Sequence, residues 1–141
     1  MLIGINPLIS PDLLHTLARM GHGDEIAVVD TNFPAHSMAR GCVVTQPLTL
    51  ALPMPQAVAA LLTLIPADDF DDAPVHTMQV VGDPAAIPPA VAELQAITGL
   101  KPESLDRFAF YDRARRCFAI VMVDETRIYA NAILRKGVIV G

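Results

Sequence analysis

The chain has 141 residues, enough for one domain with a real hydrophobic core. It is 52% apolar and only 18% charged, more apolar than a monomer of this size can hide, so part of that surface is expected at contacts between copies. A net charge of −5, no Trp and two Tyr exclude the usual basic, aromatic nucleic-acid binder.

Cys42 and Cys117 form no CxxC unit and read as small buried hydrophobes in a reducing compartment. Met1-Leu2-Ile3-Gly4 lacks the basic region of an export signal, which gives the expectation of a cytoplasmic protein. Residues 41–67 carry no charge and are long enough to span a bilayer. Pro47, Pro53, Pro55 and Pro66 divide them, and Gln46, Thr49 and Gln56 interrupt the apolar run, so buried structure is expected there and no membrane span.

In chain order, Ser10 can cap a first helix, Pro11 suits its first position and Asp12 its positive end. Leu13, Leu14, Leu17 and Ala18 would form its apolar face, with Gly21 or Gly23 ending it. Residues 25–30 read as a buried strand with a polar residue at each end. Residues 31–40 read as a loop and residues 42–45 as a short strand. Residues 55–65 read as a buried helix, and residues 68–72, Asp71 among them, as an acidic loop. A strand is predicted at residues 76–81, a helix at 88–98 ended by Gly99, and a short helix at 106–115. Residues 117–123 form a strongly apolar strand, and residues 127–134 follow a tight turn and can pair with it. Strands alternating with helices predict an α/β sheet layered with helices. No repeat or linker divides residues 1–141, so a single domain is expected.

The densest chemistry lies in Met20-Gly21-His22-Gly23-Asp24-Glu25. Glycines on both sides of His22 keep bulk away from an imidazole, the side chain best matched to proton transfer near neutral pH. The same pattern also fits a surface histidine in a turn. Asp30 ends the strand that follows, and strand ends in α/β sheets line ligand sites; it could equally be a turn residue. His36 with His22 and Asp30 could hold a metal, although the spacing matches no compact zinc motif. Arg107 offers a fork of donors suited to hydroxyl groups, and Tyr111 a phenol that can donate or accept. If Tyr129 and Asn131 lie in a strand, their side chains share a face. The phosphate-cradling glycine loops and the Gly-x-Ser-x-Gly elbow are absent. Acid/base work on a polar, uncharged ligand is the chemistry these residues suit.

Pro7-Leu8-Ile9-Ser10-Pro11, Gly21-His22-Gly23-Asp24-Glu25-Ile26, Phe33-Pro34-Ala35-His36-Ser37, Arg107-Phe108-Ala109-Phe110-Tyr111 and Tyr129-Ala130-Asn131 together resemble the L-fucose mutarotase family. That family shares a superfamily with D-ribose pyranase. The resemblance runs in order over nearly the whole chain and is least distinctive from Thr45 to Leu105. It implies a compact three-layer α/β domain with a central sheet between helices. It also implies homo-oligomeric rings, often decamers, with sites near subunit boundaries. The implied activity is a cofactor-free and metal-free isomerase that interconverts the α and β anomers of a monosaccharide. His22 would be the principal acid/base residue and Tyr111 would assist. Asp30, Arg107, Tyr129 and Asn131 would hold sugar hydroxyls, Met78 would touch the sugar's methyl group, and Asp69 would be an acidic site residue. The rival readings are a ribose pyranase, a non-catalytic sugar-binding oligomer, and a metal-dependent isomerase using His22 and His36.

Overall fold

Ser10 begins the first helix by accepting the Leu13 N–H on its Oγ at 3.1 Å, and Pro11 fills the first turn without costing a hydrogen bond. In this computed structural model, which describes residues 1–70 and 72–141, α1 spans Pro11–Arg19. Asp71 of the expected acidic loop lies outside the described residues. The helix buries Leu13, Thr16 and Leu17 at the i, i+3, i+4 spacing, and Ala18 is exposed. Met20, extended at φ −69° and ψ 137°, ends the helix just before Gly21.

The remaining elements are β1 (Glu25–Val29), α2 (Ala35–Ala39), β2 (Leu48–Leu50), α3 (Met54–Leu62), β3 (Val75–Met78), α4 (Pro89–Thr98), β4 (Glu103–Leu105), α5 (Arg107–Ala114), β5 (Ala119–Val123) and β6 (Ala132–Arg135). All six strands join one sheet in the order β2-β5-β1-β6-β3-β4. β5 pairs parallel with both β1 and β2, and β3 with β4. β6 runs antiparallel between β1 and β3.

Both faces of the sheet are covered, which is why β1 and β5 read as continuous apolar runs. Ile26 and Val28 pack with Leu13, Leu61 and Leu94 beneath α1, α3 and α4. Ala27 and Val29, on the opposite face, pack with Met38 and Phe110 of α2 and α5. The result is the three-layer α/β architecture with the sheet between helices. Cys42 and Cys117 are free and buried. Burial pushes both thiols up, Cys117 strongly, so they stay protonated at neutral pH. Among the described residues no helix is long and apolar enough to cross a membrane.

Several elements differ from the sequence expectations. Residues 35–39 form α2 instead of loop, because Ala35, Met38 and Ala39 bury on one side of a short helix. Residues 42–44 are bends and Thr45 is irregular, with Val44 donating a single bond to the Phe118 carbonyl at 2.9 Å. The strand comes later, at Leu48–Leu50. β4, a three-residue edge strand with an exposed start, has no apolar pattern to announce it. The strand expected at 76–81 ends at Met78. β6 begins only at Ala132 and does not pair with β5, whose two edges are already occupied by β1 and β2. Tyr129 therefore lies outside any strand, and its alignment with Asn131 does not come from strand alternation.

Gly137 follows β6 and donates its N–H to the Pro66 carbonyl at 2.8 Å. A Cβ there would sit 2.8 Å from the Ala67 oxygen and 3.2 Å from Asp68 Cα. Both obstacles are backbone, so relief requires moving the chain. Gly137→Ala is expected to cost about 1–3 kcal/mol of stability, read as a lower urea midpoint at unchanged slope. A midpoint equal to wild type would mean that the two segments do not approach this closely.

Candidate active site

The sheet's connectivity gathers side chains at one end. Asp30 follows the last residue of β1, Met78 closes β3, and Arg107 opens α5 directly after β4. β6 runs the other way, so the residues that enter it, Tyr129 and Asn131, reach the same end. Carboxyl ends of parallel strands are where α/β sheets hold ligands. Here they enclose a cavity of about 230 Å³ lined by Asp30, Asn32, Phe33, Met78, Val81, Arg107, Tyr111, Ile128, Tyr129 and Asn131. That is below the roughly 300–1,000 Å³ of drug-sized sites and suits a single small ring.

The polar groups are held by named bonds. Asp30 donates its backbone N–H to Asn131 Oδ1 at 2.8 Å, and its carboxylate Oδ1 accepts the Asn32 N–H at 3.0 Å. Asp30 is 3% exposed. Burial pushes its carboxyl up, against the N–H groups of Asn32, Phe33 and Ala130 and the Asn131 amide that stabilise the anion. It therefore takes up a proton more readily than an ordinary aspartate. The Tyr129 phenol accepts the Val81 N–H at 3.3 Å across the mouth. Phe33 meets the Tyr111 ring edge-on at 5.5 Å and fixes its plane. The Arg107 guanidinium lies 4.8 Å over Phe108. The lining mixes the polar Asp30, Arg107 and Asn131 with the apolar side chains of Met78, Val81 and Ile128, and Asn131 Nδ2 lies 4.0 Å from Met78 Sδ. Such a cavity can hold a polyol and move a proton on it. Phe33, Val81 and Ile128 escaped the sequence reading because apolar residues in loops carry no periodic signal.

His22 is elsewhere within the chain. It precedes β1 while Asp30 follows it, and the strand's five residues hold the two apart by on the order of 20 Å. The His22 side chain is 51% exposed, and its Nε2 meets Asp68 Oδ2 at 3.2 Å. Gly23 at φ 87° makes the turn that presents it, in a region that disfavours a side chain. Asp68 is 6% exposed. Desolvation would raise its carboxyl, but the Phe70 N–H, Arg135 and His22 outweigh it and hold the carboxyl below the usual range. Arg135 Nε donates to the same Oδ2 at 3.0 Å, and its Nη2 to the Asp68 and Asp72 carbonyls at 2.8 and 2.9 Å. Asp69, the candidate from this loop, is exposed; its neighbour Asp68 is the carboxylate that meets the imidazole. In a run of aspartates, nothing in the sequence marks which one the chain will turn inward.

The metal reading from His22, His36 and Asp30 fails within one chain, since β1 separates His22 from Asp30 and His36 is exposed on α2. Among the described residues the group of close potential ligands is Asp72, His76 and Glu103, outside the cavity. Arg113 and Arg135 already sit 3.5 and 3.6 Å from Asp72 Oδ2, where their charge opposes a cation.

Residues 3–139 match the RbsD / FucU transport protein family. The fucose mutarotase of Homo sapiens is 39% identical over 144 residues, 96% of this chain and 93% of that one. The crystal structure of the fucose mutarotase from Streptococcus pneumoniae in complex with L-fucose superposes with a TM-score of 0.84 at 37% identity, covering 99% of this chain and 100% of that chain. RbsD of Bacillus subtilis, complexed with D-ribose, shares the fold with a TM-score of 0.74 at 20% identity, over 96% of this chain and 98% of that one.

Asp68 has its carboxyl held below the ordinary value of 3.8, so its contribution to stability is complete above that pH and is lost as pH falls through the lower folded value. Asp68→Asn is expected to be less stable than wild type at pH 7, with the gap closing below about pH 4. Urea unfolding at both pH values checks this; a gap that is the same at both would show that the charge contributes nothing.

Proposed function

We propose, from the premise that this chain belongs to the RbsD / FucU family, that it is a mutarotase interconverting the α and β anomers of L-fucose. The observation that carries the reading is the cavity in which Asp30, Arg107, Tyr111, Tyr129 and Asn131 converge beside Met78. These are the residues that the family resemblance assigns to a fucose ring, on a chain 39% identical to a fucose mutarotase.

Mutarotation takes a proton from the anomeric O1 and gives one to the ring oxygen O5. The C1–O5 bond breaks, the free aldehyde rotates about C1–C2, and O5 closes on the other face. Nothing is oxidised and no C–H bond breaks. Two positioned acid/base groups suffice, each worth on the order of 10²–10⁴-fold. Arg107, Asn131 and Asp30 hold hydroxyls, and Met78 faces the methyl group. Tyr111 serves one of the two oxygens.

His22 of a neighbouring copy serves the other. Its own chain places it at the wrong end of β1, half-exposed and backed by Asp68. Nε2 faces Asp68, which leaves Nδ1 for the sugar. Phe70 beside it is 80% exposed; at the cavity Val81 and Ile128 are 59% and 66% exposed, and Phe108, against Arg107, is 66% exposed. Seating one apolar end on the other covers both. Such a head-to-tail contact between unlike surfaces closes into a ring when its rotation divides a full turn, which fits the ring assembly expected from the family resemblance. Buried, protonated Cys42 and Cys117 suit a reducing cytoplasm.

The test is NMR of L-fucose with the protein, reading magnetisation exchange between the anomer signals. Exchange is expected with L-fucose and more slowly with D-ribose. Binding without exchange would make the protein a sugar carrier, and faster ribose exchange would make it a pyranase. His22→Ala is expected to lower exchange on the order of 10²–10⁴-fold with the fold intact. Co-expressing His22→Ala with Asp30→Ala chains is expected to restore part of the activity, because some sites then combine two intact halves. No restoration would rule out the shared site.

A further inference from the structure

Glu125 lies outside the cavity, yet it is 3% exposed and carries a full set of partners. Oε1 accepts the Met54 N–H at the start of α3 at 3.2 Å and Arg127 Nη2 at 2.8 Å. Oε2 accepts the Arg127 backbone N–H at 3.2 Å and its Nε at 3.0 Å. The remaining face of the Arg127 guanidinium meets both oxygens of Glu93 on α4, at 2.8 and 3.1 Å. The Glu125 carbonyl accepts both the N–H and the hydroxyl of Thr31 at 3.0 Å. One residue thus ties the β5–β6 connection to α3, to α4 through Arg127, and to the loop that carries Asp30.

What this connection must hold is strained. Tyr129 sits at φ 59°, the only positive φ outside glycine among the described residues. A bulky residue pays for that region and keeps it only when its surroundings impose it. The strained backbone sends the phenol across the cavity mouth to Val81 and delivers Asn131, two residues on, to the Asp30 N–H.

We infer that Glu125, with Arg127 as its brace, is the positioning residue that holds the Tyr129 turn in its substrate-receiving shape. The inference rests on the mutarotase reading for its kinetic part only. Bidentate charge-assisted bonds fix direction as well as distance, which a turn held against its preference requires. The Arg127 contacts, the largest effect on the carboxyl, keep Glu125 below the ordinary glutamate range despite its burial, so the brace is charged at neutral pH.

The experiment compares wild type with Glu125→Gln and Arg127→Gln. Arg127 is partly exposed, so its variant keeps the fold should Glu125→Gln lose it. The chain has two tyrosines, so 3-fluorotyrosine labelling gives two ¹⁹F signals, assigned with Tyr111→Phe. The Tyr129 signal is expected to shift or broaden in the folded variants, and the Tyr111 signal to stay. In the exchange assay KM for L-fucose is expected to rise on the order of tenfold, with kcat changed less than about threefold. A purely structural role would lower the melting temperature and leave KM and the Tyr129 signal of the folded protein unchanged; that result overturns the inference. If wild type itself exchanges no anomers, the mutarotase reading fails, and the ¹⁹F signals alone still decide whether Glu125 holds the turn.

Discussion

Strand β1 sets the terms for everything else. It is buried on both faces and hydrogen-bonded on both edges, to β5 and to β6. Nothing in such a strand bends. The proton-transfer candidate at its start and the carboxyl at its end are therefore separated by its full length. A site that uses both groups must draw them from two copies of the chain. On the proposed reading each end would meet the other, and apolar side chains are exposed at both, Phe70 at one and Val81 and Ile128 at the other. Part of the exposed apolar surface lies near these ends, at Phe70, Val81 and Ile128, and much of the rest in the terminal segments, at Met1, Leu2, Ile3, Ile139 and Val140.

β6 makes the arrangement possible by running against its neighbours. Had it been parallel to β1, its approach would have arrived beside His22. Antiparallel, it begins beside Asp30, where Asn131 accepts the Asp30 N–H, and finishes beside His22, where Arg135 grips Asp68. Gly137, just beyond, lets the chain pass within contact of the Ala67–Asp68 backbone. A four-residue strand thus organises both ends of the sheet. A shift of its register by one residue would turn Ile133 out of one core layer and Ala132 and Leu134 out of the other.

Much of this was legible in the sequence because local chemistry and burial agree there. Ser10-Pro11-Asp12 marks a helix start by capping, and Asp106 caps α5 by accepting the Phe108 and Ala109 N–H groups at 3.1 and 3.0 Å. The apolar runs of β1 and β5 mark strands covered on both faces. Asp30, Met78, Arg107, Tyr111, Tyr129 and Asn131 of the cavity were named from a family pattern in which their order along the chain is kept. What local signals could not carry was partnership. β6 chooses β1 and β3 because β5 has no free edge, which is a property of the whole sheet. Asp68 rather than Asp69 turns inward because Arg135, 67 residues away, holds it. The bend at residues 42–44 and the edge strand β4 lack any periodic pattern, and α2 is too short to show one.

The same cavity also limits how selective the chain can be. L-Fucose differs from a pentose ring by a methyl group, and a buried methyl-sized group is worth about 0.8 kcal/mol. Even a well-shaped apolar wall rejects a ligand lacking one such group by only about 10–200-fold. In the proposed mutarotase Met78, Val81 and Ile128 would supply that apolar contact, so a ribose ring would enter and leave a small gap. On the proposed reading the polar contacts discriminate more strongly, because the buried Asp30 and Asn131 side chains are left without a partner when a hydroxyl points the wrong way; Arg107 is exposed and adds less. In the proposed mutarotase, hydroxyl stereochemistry therefore weighs more in the choice of sugar than the methyl contact does.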